Sequence, residues 1–234
     1  MRCLCRNPDL DAKDVIVQGA GETGCFIYGL GAQLTYGGIA ASGNGNSGLY
    51  IRLGASAQNA LTAAYILGTK LNGNARYGLF VERIATLDIN VAATGYVIQM
   101  HGNAFEGIYV AADSVLSVLR QPAATGTSLS IIAHTTRTGL LVERSKVTLQ
   151  LESHTFSRGT TGVKIGLRGS LVSDALTFSS PGTSALVVDA LSSALLTGAV
   201  SGDIGSAGVV CSNGSRIQGL TTALKLLSDA GPPK

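Results

Sequence analysis

GLLV at residues 139–142 is followed 23 residues later by GVKI at 162–165, and the interval is kept by ALVV at 185–188 and GVVC at 208–211. A looser series of the same kind precedes them, with GCFI at 24–27, GLYI at 48–51, GLFV at 78–81 and GIYV at 107–110. A small residue ahead of a short alternating β segment, repeated every ~20–30 residues, is typical of a solenoid of stacked strands.

The content of one repeat indicates which solenoid this is. In residues 139–161, Leu140 and Val142 alternate with Leu141, a second alternating segment follows at 147–151, and the remainder is polar. The sequence therefore predicts an all-β fold, a right-handed single-stranded parallel β-helix of about eight rungs with roughly 23–32 residues each. The predicted boundaries are a lead-in or cap at 1–23, the β-helix at 24–220 and a C-terminal cap or tail at 221–234.

The composition suits tight coils and argues against several classes of function. The chain of 234 residues has 31 glycines and only 13% charged residues, about half the usual share. Its net charge of +3 comes from scattered basic residues, so no nucleic-acid partner is predicted. Residues 1–13 contain no apolar core of a signal peptide, and no run of about 18 apolar residues offers a transmembrane helix.

Neither the cysteines nor the histidines predict a metal or cofactor site. Cys3 and Cys5 are too close together for the usual zinc-binding spacing, and Cys25 and Cys211 fall in the first and last β segments, too far apart to pair. We expect buried thiols. The histidines occupy different phases of the repeat, without further ligands at metal-binding spacing: His101, His134 and His154.

Alternation within each β segment predicts which side chains fill the interior. Stacked like on like, these residues form an aliphatic column along the axis. The predicted inward residues are Leu49 and Ile51, Leu79 and Val81, Ile108 and Val110, Leu140 and Val142, Val163 and Ile165, Leu186 and Val188, and Val209 and Cys211.

The outward residue of each β segment predicts an exposed apolar stripe. A contiguous stripe of this kind usually marks an interface. Three interpretations are open: the long turns of the early repeats cover it, it is a seam with a partner or another copy, or it is a stacking surface for sugar rings. The stripe consists of Phe26, Tyr50, Phe80, Tyr109 and Leu141.

Two early repeats carry similar hexapeptides before their β segment, GNARYG at 73–78 and GNAFEG at 102–107. Asn74 and Asn103 each lie four residues before the glycine that opens the segment. Stacked asparagines at a bend can hydrogen-bond along the axis, and asparagine tolerates left-handed backbone. We predict a structural role for both.

The hexapeptide GAGETG at 19–24 has the spacing of a dinucleotide-binding loop and follows the apolar run at 15–17. Such a loop requires a helix next, whereas CFIYGLG at 25–31 is rich in β-formers and twice interrupted by glycine. Gly24 is already accounted for as the start of the first β segment. No nucleotide cofactor is predicted.

Three carboxylates share one phase of the repeat. Glu82, Glu143 and Asp189 each lie four residues after the start of their segment. Like positions two rungs apart are roughly 9–10 Å apart, close to the ~6.5–9.5 Å of an inverting glycosidase pair. Arg83 and Arg144 directly follow two of these acids and offer ion-pair partners instead. If the protein is an enzyme, these three acids are the candidate catalytic residues.

Residues 31–51, GAQLTYGGIAASGNGNSGLYI, resemble the passenger repeats of pertactin-like autotransporters, as do SKVTL at 145–149 and SRGTTGV at 157–163. The resemblance covers roughly residues 24–215 and implies a rigid stalk on the surface of a Gram-negative bacterium, acting as an adhesin or virulence factor. Four cysteines and the lack of export signals depart from that pattern. The same features resemble phage tailspike and tail-fibre β-helices, which assemble in the cytoplasm, usually as trimers.

We therefore predict a non-enzymatic, extended β-helix scaffold with an adhesin or attachment role on the extracellular surface of a bacterium or a virion, without a cofactor. Its predicted partner is another copy of itself, as in a homotrimer, or a host-surface glycan or protein. The alternative is a polysaccharide-degrading β-helix, a glycoside hydrolase or lyase of the tailspike kind.

Overall fold

The computed structural model describes residues 3–5, 10–59, 68–203 and 205–219. These residues form 24 strands and no helix. The predicted C-terminal cap at 221–234 lies outside the described residues, as does much of the predicted lead-in before residue 10.

The strands form three parallel stacks, which are the three faces of the molecule. The first stack contains β1 (Cys3–Cys5), β3 (Cys25–Tyr28), β5 (Leu49–Arg52), β8 (Leu79–Glu82), β11 (Ile108–Ala111), β14 (Thr138–Glu143), β17 (Thr161–Gly166), β20 (Ser184–Val188) and β23 (Gly208–Cys211). The second contains β6 (Ser56–Asn59), β9 (Thr86–Val91), β12 (Val115–Arg120), β15 (Lys146–Gln150), β18 (Ser170–Ser173), β21 (Ser193–Leu196) and β24 (Arg216–Gln218). The third contains β7 (Thr69–Lys70), β10 (Val97–His101), β13 (Ser128–Ile132), β16 (Ser153–Ser157), β19 (Leu176–Ser179) and β22 (Val200–Gly202).

One long strand joins the second and third stacks. The first half of β4 (Gln33–Ser42) pairs with β6 and its second half pairs with β7, while β2 (Leu10–Gln18) runs parallel to it on the other side. From β5 onward the chain visits the three stacks in turn and then returns to the first, and each strand pairs in parallel with its equivalent one repeat away. The protein is therefore an all-β parallel β-helix, as the sequence predicts.

The predicted inward residues form the core. All of them except Cys211 are at most 1% exposed. Burying a valine, leucine or isoleucine side chain contributes roughly 1.5–3 kcal/mol. Cys211 is only partly buried because β23 is the last described strand of the first stack. Six strands separate it from the buried Cys25 in that stack, so the two sulfur atoms are far apart, as predicted.

The corner that leads back to the first stack, here called the third corner, begins with four copies of one hexapeptide turn, at 19–24, 43–48, 73–78 and 102–107. The first glycine of every copy has a left-handed φ between 61° and 65°. The turns hydrogen-bond to one another along the axis, for example from the Ala75 N–H to the Asn44 carbonyl at 2.8 Å. GAGETG is thus the first copy of a structural turn, in which Gly19 supplies the left-handed backbone and Gly24 leaves room for the Asn44 amide.

The second position of this turn carries an asparagine ladder of Asn44, Asn74 and Asn103, all at most 2% exposed. The Asn74 Oδ1 accepts from the Asn44 Nδ2 at 2.9 Å and from the Asn44 N–H at 3.1 Å. Asn74 in turn donates through Nδ2 to the Asn103 Oδ1 at 2.9 Å. Asn103 ends the ladder by donating to the Leu71 carbonyl at 2.8 Å.

The ladder also explains the glycines that precede β3, β5 and β8, which are Gly24, Gly48 and Gly78. A Cβ at Gly48 would lie 2.9 Å from the Asn74 Nδ2, and a Cβ at Gly78 would lie 2.7 Å from the Asn103 Nδ2. Since both amides are held by hydrogen bonds, neither can give way without loss. The recurrent glycine is therefore required by the asparagine ladder, since only glycine leaves room for the asparagine amide.

Asn74→Ala should lower the free energy of unfolding by about 3 kcal/mol, because it leaves the backbone and side-chain donors of Asn44 buried without partners and removes one of the two donors to the Asn103 Oδ1. Chemical denaturation measures the change. Asn46→Ala, in the neighbouring copy of the turn, is the matched control, since the side chain of Asn46 makes one 3.3 Å contact with Ser47. We expect a cost of at most about 0.5 kcal/mol there. Equal losses of unfolding free energy in the two variants would show that the hydrogen bonds of the ladder do not contribute to stability beyond those of an ordinary turn residue.

Candidate aromatic attachment site

The predicted stripe is continuous on the outer face of the first stack. Strand register places Phe26, Tyr50, Phe80, Tyr109 and Leu141 side by side. The ring centroids of the four aromatic residues are 5.0, 4.7 and 5.0 Å apart in sequence order, with interplanar angles of 26°, 13° and 2°. The rings therefore stack face to face along the axis, at the spacing of the strands that carry them.

Turns of the third corner cover part of this stripe. Tyr77 packs 4.8 Å from Phe80 and 5.6 Å from Tyr109, measured between ring centroids. Phe105 extends the cluster from the next turn, and the Arg137 guanidinium lies 4.3 Å above its ring. The stripe residues are half-buried as a result. The early turns thus shield the side of the stripe that faces the third corner.

Beside the stripe, a second column supplies polar partners. The phenol of Tyr50 donates to Glu82, and that of Tyr109 donates to the Glu143 Oε2 at 2.6 Å. Burial, reinforced by these carboxylates, raises the pKa of both phenols, so both stay protonated donors. Arg52 lies 5.6 Å from the Tyr50 ring centroid and 3.4 Å from a Glu82 oxygen. The stripe is therefore apolar at its centre and carries charge along one edge.

The three predicted acids lie in the same column but do not converge. Glu82 and Glu143 flank Ala111, two strand spacings or roughly 10 Å apart at the backbone. Asp189 follows two strands beyond Glu143. It accepts hydrogen bonds from Asn213 at 2.5 Å and Ser212 at 2.9 Å, which lower its pKa. Glu82 also contacts Arg83 at 3.8 Å, the ion pair that the sequence offered.

One acid that the sequence did not single out lies next to the stripe. Glu106 is 9% exposed, and burial raises its pKa while the nearby Arg137 opposes the rise. The position before the opening glycine is serine or threonine in most repeats but Tyr77 and Glu106 in the two turns beside the stripe. That departure from the repeat was the available signal. Arg137 and Phe105 had none, because their contact depends on the stacking of successive turns.

The histidines hold structural positions. The His154 Nδ1–H donates to the Ala175 carbonyl at 2.7 Å, and its Nε2 accepts from the Leu151 N–H at 3.2 Å. His101 contacts Ser130 at 2.9 Å, and His134 is exposed beside Thr136. Among the described residues, no three side chains of the metal-binding types come close enough to hold an ion.

No protein-family model, curated protein or solved structure matches this chain. In the part of the chain that the structure describes, no helix has the length and hydropathy needed to cross a bilayer. The class is therefore set by the strand topology alone, which is that of a parallel β-helix with an internal repeat.

Protonation of His154 should destabilise the fold. Burial lowers its pKa, so below the ordinary value of about 6.5 the unfolded chain binds a proton that the folded chain resists. The free energy of unfolding should therefore be fully present above that pH and fall as the pH drops from 7 to 5. Denaturation at several pH values should show a shallower dependence in His154→Gln than in the parent.

Two further variants make this comparison specific. The pKa of His101 is also lowered by burial, so His101→Gln should remove a second part of the dependence. His134→Gln removes an exposed imidazole and controls for the loss of a histidine as such. An unchanged pH profile in His154→Gln would contradict the assignment.

Proposed function

We propose that the protein is a non-enzymatic, extended β-helix scaffold that attaches to a partner at a cell or virion surface through its aromatic stripe. The observation that carries this proposal is the unbroken stack of Phe26, Tyr50, Phe80 and Tyr109 on an outer face. Folding alone does not require these rings, since the aliphatic column inside already fills the core. A half-exposed apolar row on a rigid sheet is a surface that a partner can bury.

The direction in which the rings face favours one kind of contact. Because Tyr50 and Phe80 stack on neighbours on both sides, their faces are occupied and their edges point outward. A sugar ring that sought an aromatic face would find only the ends of the stack. Ring edges pack well into an apolar protein surface, and the carboxylates and Arg52 beside them add polar contacts. A protein surface, or another copy of this chain, is therefore the partner that we favour over a glycan.

Rigidity is the second part of the mechanism. Each strand that carries a stripe residue is fixed by backbone hydrogen bonds to the strands on both sides. A partner that spans several strands consequently meets a preorganised surface and pays little ordering entropy. An extended attachment stalk on a bacterial or virion surface uses this combination of stiffness and a long lateral face.

A polysaccharide-degrading enzyme is the second candidate, supported by the two glutamates that flank Ala111 and by the buried Glu106 beside them. Against it, Glu82 and Glu143 are both engaged by tyrosine hydroxyls.

The attachment proposal predicts that beads coated with the protein adhere to cultured epithelial cells or to Gram-negative bacterial cells. Tyr50→Thr combined with Phe80→Thr should reduce adhesion about tenfold, because both changes remove apolar contact area. Val172→Thr with Leu195→Thr, outward on the second stack, is the matched control and should adhere like the parent. Circular dichroism checks that all variants fold. The proposal would be contradicted if the stripe variant adhered like the parent, or if the parent did not adhere.

The solution mass of the parent and the stripe variant, measured by light scattering, distinguishes binding of an outside partner from association with another copy of the chain. A mass of 23.8 kDa for parent and variant leaves the stripe for an outside partner. A mass three times larger that falls to one copy in the stripe variant would assign the stripe to a homotrimer seam.

The enzyme alternative has its own test. A variant with alanine at Glu82, Glu143 and Asp189 should behave like the parent towards bacterial polysaccharides if the protein is a scaffold, since neither then releases reducing sugar. Cleavage by the parent, lost in a folded triple variant, would establish the enzyme instead. Release of sugar by both proteins would point away from these three acids.

A further inference from the structure

The corner between the first and second stacks, here called the first corner, is a row of tips in which one or two residues have left-handed backbone. The non-glycine residues there have φ between 46° and 65°. Only glycine, and to a lesser degree asparagine, adopts this conformation at low cost. The left-handed tip residues are Leu53, Gly54, Arg83, Ile84, Ala112, Asp113, Arg144, Leu167, Arg168, Ala190, Leu191, Asn213 and Gly214.

Large aliphatic side chains project from these tips. Six large hydrophobic residues are exposed among the described residues, and four of them lie on this one corner. They are Leu30 at 84%, Ile84 at 72%, Leu167 at 51% and Leu191 at 60% exposure. Leu30 lies between β3 and β4, where its side chain approaches Gly54. The row extends over six strand spacings, about 29 Å.

The tips with left-handed φ are costly in two ways. Ile84 is β-branched at a φ of 63°, a true outlier for such a residue, and its side chain gains nothing from burial. Asparagine and glycine serve the same turn at Asn213 and Gly214, so the fold does not demand aliphatic residues here. A choice that opposes both backbone preference and burial indicates a function outside the fold.

The charges on the same tips are mostly positive. Arg83, Arg144 and Arg168 project from the row, and Asp113 is its one acid among the described tip residues. Three further carboxylates lie one position before the tips, where each accepts a hydrogen bond from a neighbouring side chain: Glu82, Glu143 and Asp189. Shallow notches separate the aliphatic knobs. One, of about 330 Å³, lies between Leu30 and Ile84, and another, of about 430 Å³, is lined by Leu167, Leu191 and two arginines.

We propose that the first corner binds the surface of an anionic lipid bilayer. Aliphatic side chains on a convex edge enter the interface, and arginines beside them contact lipid phosphates. A straight row of protruding tips fits a plane, whereas a protein partner would need a matching groove about 29 Å long. The exposed arginines on the tips, in particular Arg144 and Arg168 beside Leu167, favour an anionic surface. This site is separate from the aromatic stripe and does not depend on its function.

Flotation with phospholipid vesicles tests the proposal. The parent protein should float with vesicles of phosphatidylcholine and phosphatidylserine and bind at least about tenfold less to phosphatidylcholine alone. Raising the salt from about 0.1 to 0.5 M should weaken binding to the anionic vesicles. Ile84→Asn, Leu167→Asn and Leu191→Asn together should reduce binding at least about tenfold. Asparagine tolerates left-handed φ, so this triple variant should unfold no earlier than the parent.

Two further variants complete the design. Arg144→Gln with Arg168→Gln should weaken binding to anionic vesicles about tenfold while leaving the aliphatic row intact. Leu195→Thr removes an exposed leucine from the second stack and should bind like the parent. The proposal is overturned if the parent does not float with anionic vesicles, or if the asparagine variant binds them as well as the parent does. A dimeric parent and a monomeric asparagine variant would also overturn the proposal, because they would assign the row to contact between copies of the chain.

Discussion

In-register parallel pairing is the constraint on which the rest of this structure depends. Each strand is hydrogen-bonded to its equivalent one repeat away, so a side chain at a given position meets the same position above and below, apart from one register shift between Ser184 and Leu186. Like therefore stacks on like. The aliphatic column, the asparagine ladder and the aromatic stripe are three results of that single rule, on the inside, at a corner and on the outside of one coil.

The same pairing rule explains how much of the fold can be predicted from the sequence. Alternation within GLLV and its equivalents predicts both the strands and their inward residues, because period two and register together leave no freedom. Asn44 shows a signal that was present but unused: GNGNSG has the spacing of the hexapeptides around Asn74 and Asn103. The continuous β4, by contrast, could not be foreseen, since nothing in GIAAS distinguishes a strand from a bend.

The candidate site divides in the same way. The members of the stripe were predictable because they occupy one phase of the repeat. Phe105 and Arg137 were not, since they lie in two different turns of the third corner and only the stacking of those turns brings them together. The orientation of the rings was equally hidden. Face-to-face stacking follows from the side chains settling against one another at the strand spacing, and it changes which partner the stripe suits.

Paired strands are separated by a similar number of residues throughout the repeat, and this has a consequence for how the chain folds. Every added coil closes a loop of about the same length, so the entropic cost of growth does not rise with the size of the rod. Once a first pair of coils has formed, folding can advance as a zipper with equal steps. The unbroken β4, which pairs on both of its halves, is well suited to be the seed from which that zipper runs.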